Sequence, residues 1–367
     1  MKTRFRNPVM FLMAALLCAF VVASCGDDDK DATPATDFTA LNASITAAQA
    51  KLTSTEEGKL DGQFPKASRD ALQAAITAAQ AVVANPATTQ AQADAANTQL
   101  GVAITAYDAA KITPIAAEAL VAHWSFDEGT GTVAHDESAN AFDGTLKNGP
   151  VWPEPWHANA DMPDWWEDRN GTAGKAIHFS SDGGAIEVPY STKLNPTSIT
   201  IALWVKADSI AAGNRFLGLH SWLGYKFQLQ EANRPFFTAA TANGAIDKDS
   251  EQNLPVGEWH HIAVTYGTNQ MLFYVDGELI KTWDNLPDPL VSISAKPYNF
   301  VMGQDFPTDQ YVATDANYDA ADSPDFHKLP LAWGGHMRGA IDEVRIYNTV
   351  LTGSQITSIY DREAPAN

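Results

Sequence analysis

The sequence has only two cysteines, Cys18 and Cys25, and both lie close to the N-terminus, so the rest of the 367-residue chain has no disulfide framework. Basic residues are also few: 24 Lys and Arg stand against 44 Asp and Glu, a formal net charge of −20. Affinity for nucleic acid or for anionic lipid comes largely from basic side chains, so this balance argues against both kinds of partner.

Familiar catalytic signatures are absent as well. The sequence contains no Gly-x-Ser-x-Gly, His-Glu-x-x-His, phosphate-binding loop or dinucleotide fingerprint. What is present is typical of a globular protein, with 45% hydrophobic and 10% aromatic residues, and the length suffices for two or three domains.

The N-terminal segment 1–24 has the pattern of a targeting peptide. Basic residues precede an apolar stretch at 9–22, which is shorter than the roughly 20 residues that a membrane-spanning helix needs. The sequence Val-Ala-Ser-Cys that follows resembles a bacterial lipobox, which implies lipid attachment at Cys25 and an outer-membrane anchor. An ordinary secretory signal is the alternative.

Residues 25–37 are predicted to be a flexible tether. The run Gly-Asp-Asp-Asp-Lys at 26–30 resembles the surface-export signal of Bacteroidetes lipoproteins, which implies exposure at the cell surface. A solvated, self-repelling tether would have the same composition.

An alanine-rich region at 38–112 predicts three helices, at 38–55, 66–84 and 88–111. Apolar residues recur every three or four positions, which places them on one face of each helix; they are Leu41, Ile45, Ala48, Leu52, Leu72, Ile76, Ala79, Val83, Leu100, Ile104 and Tyr107. The region resembles FIVAR-type three-helix modules of bacterial surface proteins, and we expect it to act as a spacer. Residues 113–119 are the predicted linker.

After the linker, the pattern changes to alternation with a period of two. The stretch VGEWHHIAVTYGTNQMLFYVDGELI at 256–280 reads as strands joined by two turns. Its Asp276-Gly277 pair favours a type I′ hairpin turn, which needs positive φ at both positions. Apolar residues occur on both faces of these strands, so we expect them at the centre of a two-layer sandwich.

Four stretches in order resemble the laminin-G-like jelly roll of the concanavalin A-like lectin/glucanase superfamily. They are AHWSFDEGTGTVAHDESANAFDGTL, SITIALWVKAD, WHHIAVTYGTNQMLFYVDG and GAIDEVRIYNTVLTGSQITSIY. The resemblance covers 120–362, with 363–367 as a tail. The expected fold class is therefore mainly β, an antiparallel sandwich of jelly-roll type preceded by a small α-helical bundle.

The resemblance also implies a structural calcium ion. The loop Asp136-Glu-Ser-Ala-Asn140-Ala-Phe-Asp143-Gly matches a family loop that folds around calcium in many members, and Asp342 occupies the position of a carboxylate that faces it. Calcium favours six to eight oxygen ligands. Alternatively, these side chains hydrogen-bond to the backbone of their own loop.

Two insertions supply the predicted carbohydrate site. The first, at 151–174, contains Trp152, Trp156, Trp165 and Trp166 with several carboxylates, and the second, at 296–336, adds Tyr311 and Trp333 among others. Flat aromatic faces with nearby polar groups suit stacking on sugar rings. A loop that folds back and buries its own rings is the alternative.

Catalytic members of the superfamily carry carboxylates on one strand as Glu-x-Asp-x-(x)-Glu, and this sequence has no such strand. The preferred interpretation is a surface lipoprotein that captures a glycan or polysaccharide, with other surface glycan-uptake proteins as further candidate partners, and binding is favoured over catalysis. A glycoside hydrolase or lyase whose carboxylates come from the insertions is one alternative, and a protein-binding adhesin is another.

Overall fold

The computed structural model describes residues 35–149, 161–180, 184–210, 213–267, 269–286, 288–295, 297–312, 329–330 and 335–365, with backbone only for 311–312 and 329–330. The predicted lipidation residue Cys25 and the candidate carbohydrate-binding residues Trp152, Trp156 and Trp333 lie outside this description, as does the side chain of Tyr311. Within it, no helix has the length and apolar character needed to cross a membrane.

Three helices form the N-terminal bundle: α1 (Thr39–Ser54), α2 (Lys66–Ala84) and α3 (Gln90–Ala109). The predicted apolar faces meet in its interior, where Leu41, Ile76 and Leu100 are buried and Leu52, Val83 and Ile104 are partly buried. Thr89 caps α3, since its hydroxyl accepts a hydrogen bond from the Gln92 backbone N–H and the Gln92 side chain bonds back to the Thr89 N–H.

Two antiparallel sheets make up the rest of the described fold. Sheet 1 contains β1 (Leu120–Trp124), β4 (Asp164–Trp166), β5 (Ala176–Ser180), β7 (Ile199–Ala207), β12 (Trp259–Gly267), β13 (Gln270–Val275), β14 (Glu278–Asp284) and β18 (Arg338–Tyr347). Its strand order is 14-13-12-7-18-5-4, and β1 also pairs with β18.

Sheet 2 contains β2 (Val133–Ala134), β3 (Gly144–Lys147), β6 (Ala185–Val188), β8 (Asn214–Leu219), β9 (Tyr225–Gln230), β10 (Arg234–Thr241), β11 (Gly244–Asp249) and β15 (Phe300–Met302). Its order is 11-10-9-8-15-6-3-2. A short parallel pair, β16 (Tyr311–Val312) and β17 (Leu329–Pro330), and the helix α4 (Gly353–Glu363) complete the elements.

The core lies between the two sheets and confirms the sequence-based expectation for this region. The predicted core residues are all buried there: Trp124, Phe126, Ile177, Phe179, Ile201, Leu203, Val205, Ile341, Val344 and Ile346. The 256–280 stretch forms β12, β13 and the start of β14, and Asp276 and Gly277 have φ of 50° and 77°, as a type I′ turn requires. Only β14 departs from the expected central position, because it is the edge strand of sheet 1.

The helical bundle contacts the sandwich through α4. The Lys59 ammonium lies 3.2 Å from the Asp361 carboxylate, and the Ser358 hydroxyl donates to the Lys59 carbonyl at 2.6 Å. In the linker, the Thr113 carbonyl accepts a hydrogen bond from the Gln355 side chain at 3.2 Å. These contacts tie the bundle to the outer side of sheet 1.

Candidate functional site

The outer face of sheet 1 is covered by α4. Ile356 and Ile359 of the helix pack with Ala202 and Ala263 of the sheet in a small apolar cluster separate from the main core. Small side chains on the sheet allow the helix to approach closely. Charged side chains also lie beneath the helix on this face, and their pairing decides what this face can do.

Arg345 lies between two carboxylates on this face. Its guanidinium donates to Glu343 at 2.8 Å and to Glu363 at the end of α4. Glu343 has φ of 52° at a register shift in β18, so the bulge brings its side chain to the same face. Burial alone would raise the pKa of Glu343, but the hydrogen bond with His123 and the charge of Arg345 lower it to about 2.

Arg169 makes the second set of pairs. It donates to the Asp342 carboxylate and to the Glu363 backbone carbonyl, the latter at 2.7 Å, and lies 3.6 Å from Glu343. The second Asp342 oxygen is buried and accepts no hydrogen bond, and burial raises the pKa of Asp342 to about 8 against the opposing charge of Arg169. With Trp204 donating to Glu363 at 2.8 Å, this network fixes α4 on the sheet.

The loop predicted to bind calcium is closed by its own hydrogen bonds. The two Asp136 oxygens each accept two, from the backbone N–H groups of His123, Ser138 and Phe142 and from the Ser138 hydroxyl, at 2.7–2.9 Å. A carboxylate offers about four lone-pair sites, so all those of Asp136 are in use.

The other three predicted ligands are also engaged elsewhere. Asp143 accepts the Asp136 backbone N–H at 2.9 Å, the Asn140 carbonyl oxygen accepts from Lys193 at 2.5 Å, and Asp342 pairs with Arg169. Among the described residues, no three His, Cys, Asp or Glu side chains gather as a metal site would require. The side chains present do not fit an ion at this loop, and calcium stays a prediction.

Two of the predicted carbohydrate-binding tryptophans lie on a strand where a loop was expected. Trp165 and Trp166 belong to β4, which pairs with β5 at the edge of sheet 1; aromatic residues favour such strands. Trp165 packs against the core and donates from Nε1 to the Gly131 carbonyl at 3.0 Å. Trp166 is 41% exposed, with its ring stacked on His178 at 4.6 Å. Only Trp166 of this pair presents a ring to solvent.

The outer face of sheet 2 carries a different arrangement, a line of six outward-facing residues with one on each of six neighbouring strands. Since core residues such as Phe227 and Phe237 point inward, their neighbours Lys226 and Thr238 point outward. Strand register aligns six outward positions in what we call the polar row: Glu187, Val301, Gly218, Lys226, Thr238 and Asp247.

Lys226 is the central charge of the polar row. Its side chain is 3% exposed, and its ammonium lies 3.9 Å from the ring centre of Trp222, which is half-buried in the short helical turn Ser221–Leu223. Burial lowers the pKa of Lys226 to about 8; Arg215 adds to this effect, and Asp305 and Asp247 oppose it. The result is a buried ammonium that is still mostly protonated at pH 7.

A second cation, Arg215, lies beside Lys226 and is fully paired. Its Nε donates to Asp305 at 2.7 Å, and its Nη1 donates to Gln228. Asp305 also accepts from the Ser221 hydroxyl and from the Gly335 backbone N–H, both at 3.1 Å. Residues 305 and 335, which flank much of the second insertion, are thus joined on this face.

The first insertion begins beside the same face. Glu187 of the polar row pairs with Lys147 at 2.6 Å and accepts the Thr308 backbone N–H at 2.9 Å. The Thr308 hydroxyl donates to the Asn148 carbonyl at 3.3 Å. Asn148, which precedes the first insertion, and Thr308 of the second insertion therefore meet at one end of the polar row.

Sequence reasoning did not select Lys226, Arg215 or Trp222 as site residues. In YKFQLQ at 225–230 the polar residues alternate with core residues, which is the pattern of any sheet face turned to water. The feature that distinguishes this face is the burial of Lys226, and the alternation in the sequence does not indicate that burial.

Comparison with known proteins supports the fold. Residues 180–357 match the family model Laminin_G_3 of the concanavalin A-like lectin/glucanases superfamily. This part of the chain is similar to that family, and its sandwich of two antiparallel sheets is consistent with the fold of the family. No curated protein matches the sequence.

Several solved structures are similar to part of this chain at low identity. Domain 4 of AbnA, an extracellular arabinanase of Geobacillus stearothermophilus in complex with arabinotriose, has 20% identity and a TM-score of 0.44, covering 66% of this chain and 98% of its own. The binding domain of Paraclostridial Mosquitocidal Protein 1 has 13% identity and a TM-score of 0.44, covering 67% and 52%.

The binding domain of botulinum neurotoxin serotype D has 13% identity and a TM-score of 0.42, covering 67% of this chain and 52% of its own. This chain thus spans about half the length of the two toxin domains. At these scores and identities the three structures assign neither a ligand nor a site to this chain.

Proposed function

We propose that the concanavalin A-like domain binds carbohydrate on the outer face of sheet 2. The observation that carries the proposal is the polar row with Lys226 under the Trp222 ring. An indole beside charged and amide groups offers both stacking and hydrogen bonding to a sugar. On the outer face of sheet 1, by contrast, α4 occupies the comparable surface.

The aromatic residues of both insertions belong to the proposed site. Thr308 and Asn148 contact each other next to Glu187, and the two insertions that contain Trp152, Trp156, Tyr311 and Trp333 include or closely follow these two residues in sequence. We include these four side chains as candidates for further contacts with the same glycan.

A hydrolase is not favoured by the carboxylates of the polar row. Glu187 and Asp247 are separated by five strand spacings, which amounts to about 24 Å. Glycoside hydrolases place their two carboxylates roughly 5–9.5 Å apart. Asp305, a further acidic group on this face, is held by Arg215, Ser221 and Gly335. Binding without cleavage is therefore the proposed activity.

The domain is proposed to act at the cell surface, anchored to the outer membrane through lipid on Cys25 and raised from it by the helical bundle. Polysaccharide capture beside other glycan-uptake proteins would follow from that location. The sequence at 22–30 supports this part of the proposal. Labelled fatty acid should enter the wild type and not a Cys25→Ser variant; equal labelling of both would exclude the anchor.

Glycan-array binding with Trp222→Ala tests the proposed face. Loss of one stacking partner should weaken binding about tenfold, which corresponds to 1.4 kcal/mol. The matched control is Trp283→Ala, because Trp283 is also half-buried and lies against two lysines, Lys248 at 4.6 Å and Lys281 at 4.4 Å. Equal weakening by both variants, or none by Trp222→Ala, would contradict the proposal.

Trp166 is the remaining candidate, on a different sheet. If it contributes, Trp166→Ala should lower glycan retention at an unchanged melting temperature, because its ring is partly exposed. Trp165→Ala should instead lower the melting temperature, because this ring packs on the core and donates a hydrogen bond. Full retention by Trp166→Ala would remove this tryptophan from the site.

A further inference from the structure

Lys226 has no counter-charge in direct contact. Among the described residues its ammonium makes no hydrogen bond or ion pair, and its close contact is the Trp222 ring at 3.9 Å. Taking an ammonium out of water is costly unless a partner compensates for it. A cation–π contact offsets only part of that cost. The fold therefore leaves the rest of this cost uncompensated.

The nearby acids do not supply the missing partner. Asp305 is engaged by Arg215, Ser221 and Gly335, and Asp247 accepts a hydrogen bond from the Thr238 hydroxyl at 2.5 Å. Arg215 faces Lys226 as a like charge. Among the described residues, the protonated Lys226 ammonium is therefore left without a paired anion.

We infer that the glycan bound on this face carries an anionic substituent, a carboxylate or a sulfate, that lies against the Lys226 ammonium. The inference rests on the proposed function and adds the class of sugar. A neutral hydroxyl could accept one hydrogen bond from the ammonium but would leave its charge uncompensated. An anion in the same place forms a charge-assisted hydrogen bond, about twice as strong as a neutral one.

The overall charge of −20 makes this recognition local. The long-range field of an acidic protein repels a polyanion, so a non-specific polyanion complex is disfavoured. Non-specific attraction to a basic surface would weaken steeply as salt rises. Binding at Lys226 should instead change little between 50 and 300 mM salt, since the contact is buried and the net field is repulsive.

Pairs of probes that differ only in charge test the inference. One pair is oligogalacturonate and its methyl ester, and the other is a sulfated galactan and its desulfated form, with neutral arabinan and xylan alongside. The wild type should bind the acidic member of at least one pair at least tenfold more tightly than its neutral partner. The pair that responds identifies carboxylate or sulfate.

Lys226→Met should abolish this preference, so that the acidic and neutral members bind alike. The control variant is Lys248→Met, which removes a lysine that also lies over an indole, 4.6 Å from the Trp283 ring centre, at the far edge of the sandwich. It should keep the full preference. Lys226→Met should melt no lower than the wild type, because it removes a buried charge.

The pH profile of the wild type gives a second measurement that needs no variant. Lys226 loses its proton above pH 8, where sugar carboxylates and sulfates do not titrate, so the preference for the acidic probe should fall by up to tenfold per pH unit there. The charged groups that face Lys226 are Arg215, Asp305 and Asp247.

Three results would overturn the inference, and they are distinguishable. Retention of neutral glycans alone, unaffected by Lys226→Met, would leave the proposed function standing and exclude an anionic ligand. Retention of no glycan by the wild type would overturn the proposed function and the inference together. A preference for acidic probes that survives both Lys226→Met and pH 10 would show that another group recognises the anion.

Discussion

Both outer faces of the sandwich contain buried cationic side chains, but the partners of these cations differ between the two faces. On sheet 1, Arg345 and Arg169 each contact two acidic side chains, and Trp204 and the end of α4 complete the network. On sheet 2, Arg215 is paired in the same way, whereas Lys226 beside it meets only an indole ring within the described residues. The same sandwich therefore contains buried cations that are paired with acidic side chains, and one buried cation, Lys226, that has no such partner among the described residues.

The contrast depends on whether the chain itself supplies an anionic partner for the buried cation. On sheet 1 the chain supplies it, because α4 carries Glu363 to Arg345. On sheet 2 the described residues leave it to a ligand, and the domain carries an energetic cost that only binding would relieve. Functional sites commonly retain such locally unfavourable groups. Variants on the two faces should therefore change stability in opposite directions.

Arg345→Met should have the largest effect. It leaves Glu343 and Glu363 buried without their shared cation, and breaking a buried ion pair costs about 3–5 kcal/mol. Urea denaturation at pH 7 should show a free energy of unfolding lower by this amount. Lys66→Met is the control, since Lys66 pairs with Asp70 in a fully exposed i,i+4 pair, and we expect no measurable change.

An Arg345→Met variant as stable as the wild type would contradict the structural interpretation of sheet 1. The two faces would then not differ in kind, and α4 would depend on Ile356 and Ile359 alone for its position.

Lys226→Met should act in the opposite direction and stabilise the domain at pH 7. Burial lowers the pKa of Lys226 from 10.5 to about 8, a shift whose free-energy equivalent is on the order of 3 kcal/mol. Below pH 8 both the native and the unfolded lysine are protonated, so the native state bears the full cost. Between pH 8 and 10.5 the native state loses its proton first, and wild-type stability rises relative to the variant.

Unfolding measured for both proteins from pH 7 to 10.5 checks this sign. The gap between variant and wild type should close as the pH rises, and above pH 10.5 only the difference between two uncharged side chains should be left. A gap of constant size would show that the charge of Lys226 carries no cost.

Much of the fold could be predicted from the sequence. The alternation in the 256–280 stretch and the Asp276-Gly277 turn fixed the β12–β14 strands, and the heptad-like spacing of Leu41, Ile45 and Ala48 gave a helix face that the structure buries. These predictions succeed because burial on one face of an element imposes a period on the residues themselves.

The site could not be predicted in the same way. Lys226 alternates with core residues along its strand, as a solvated residue would. Its burial results from packing between segments that are distant in sequence. Asp342 was expected to face the 136–143 loop, yet it pairs with Arg169, a residue 173 positions away. Pairings of that kind leave no trace in local pattern. The tryptophans at 165 and 166 were placed in a loop because a three-residue edge strand is too short to show alternation.

The smallest effect concerns the 136–143 loop and separates a hydrogen-bonded loop from a calcium site. Asp136→Ala removes an acceptor of four hydrogen bonds from a buried position and leaves three backbone N–H groups without their acceptor. We therefore expect the free energy of unfolding to fall by about 1–3 kcal/mol.

Because Asp136 has no lone pair left for an ion, chelator should not change the melting temperature of metal-free or calcium-treated wild type. Calcium binding to the native state would instead add about 2.7 kcal/mol at a hundredfold excess over Kd. A calcium-dependent rise in melting temperature that Asp136→Ala abolishes would establish the ion and show that the loop rearranges to bind it.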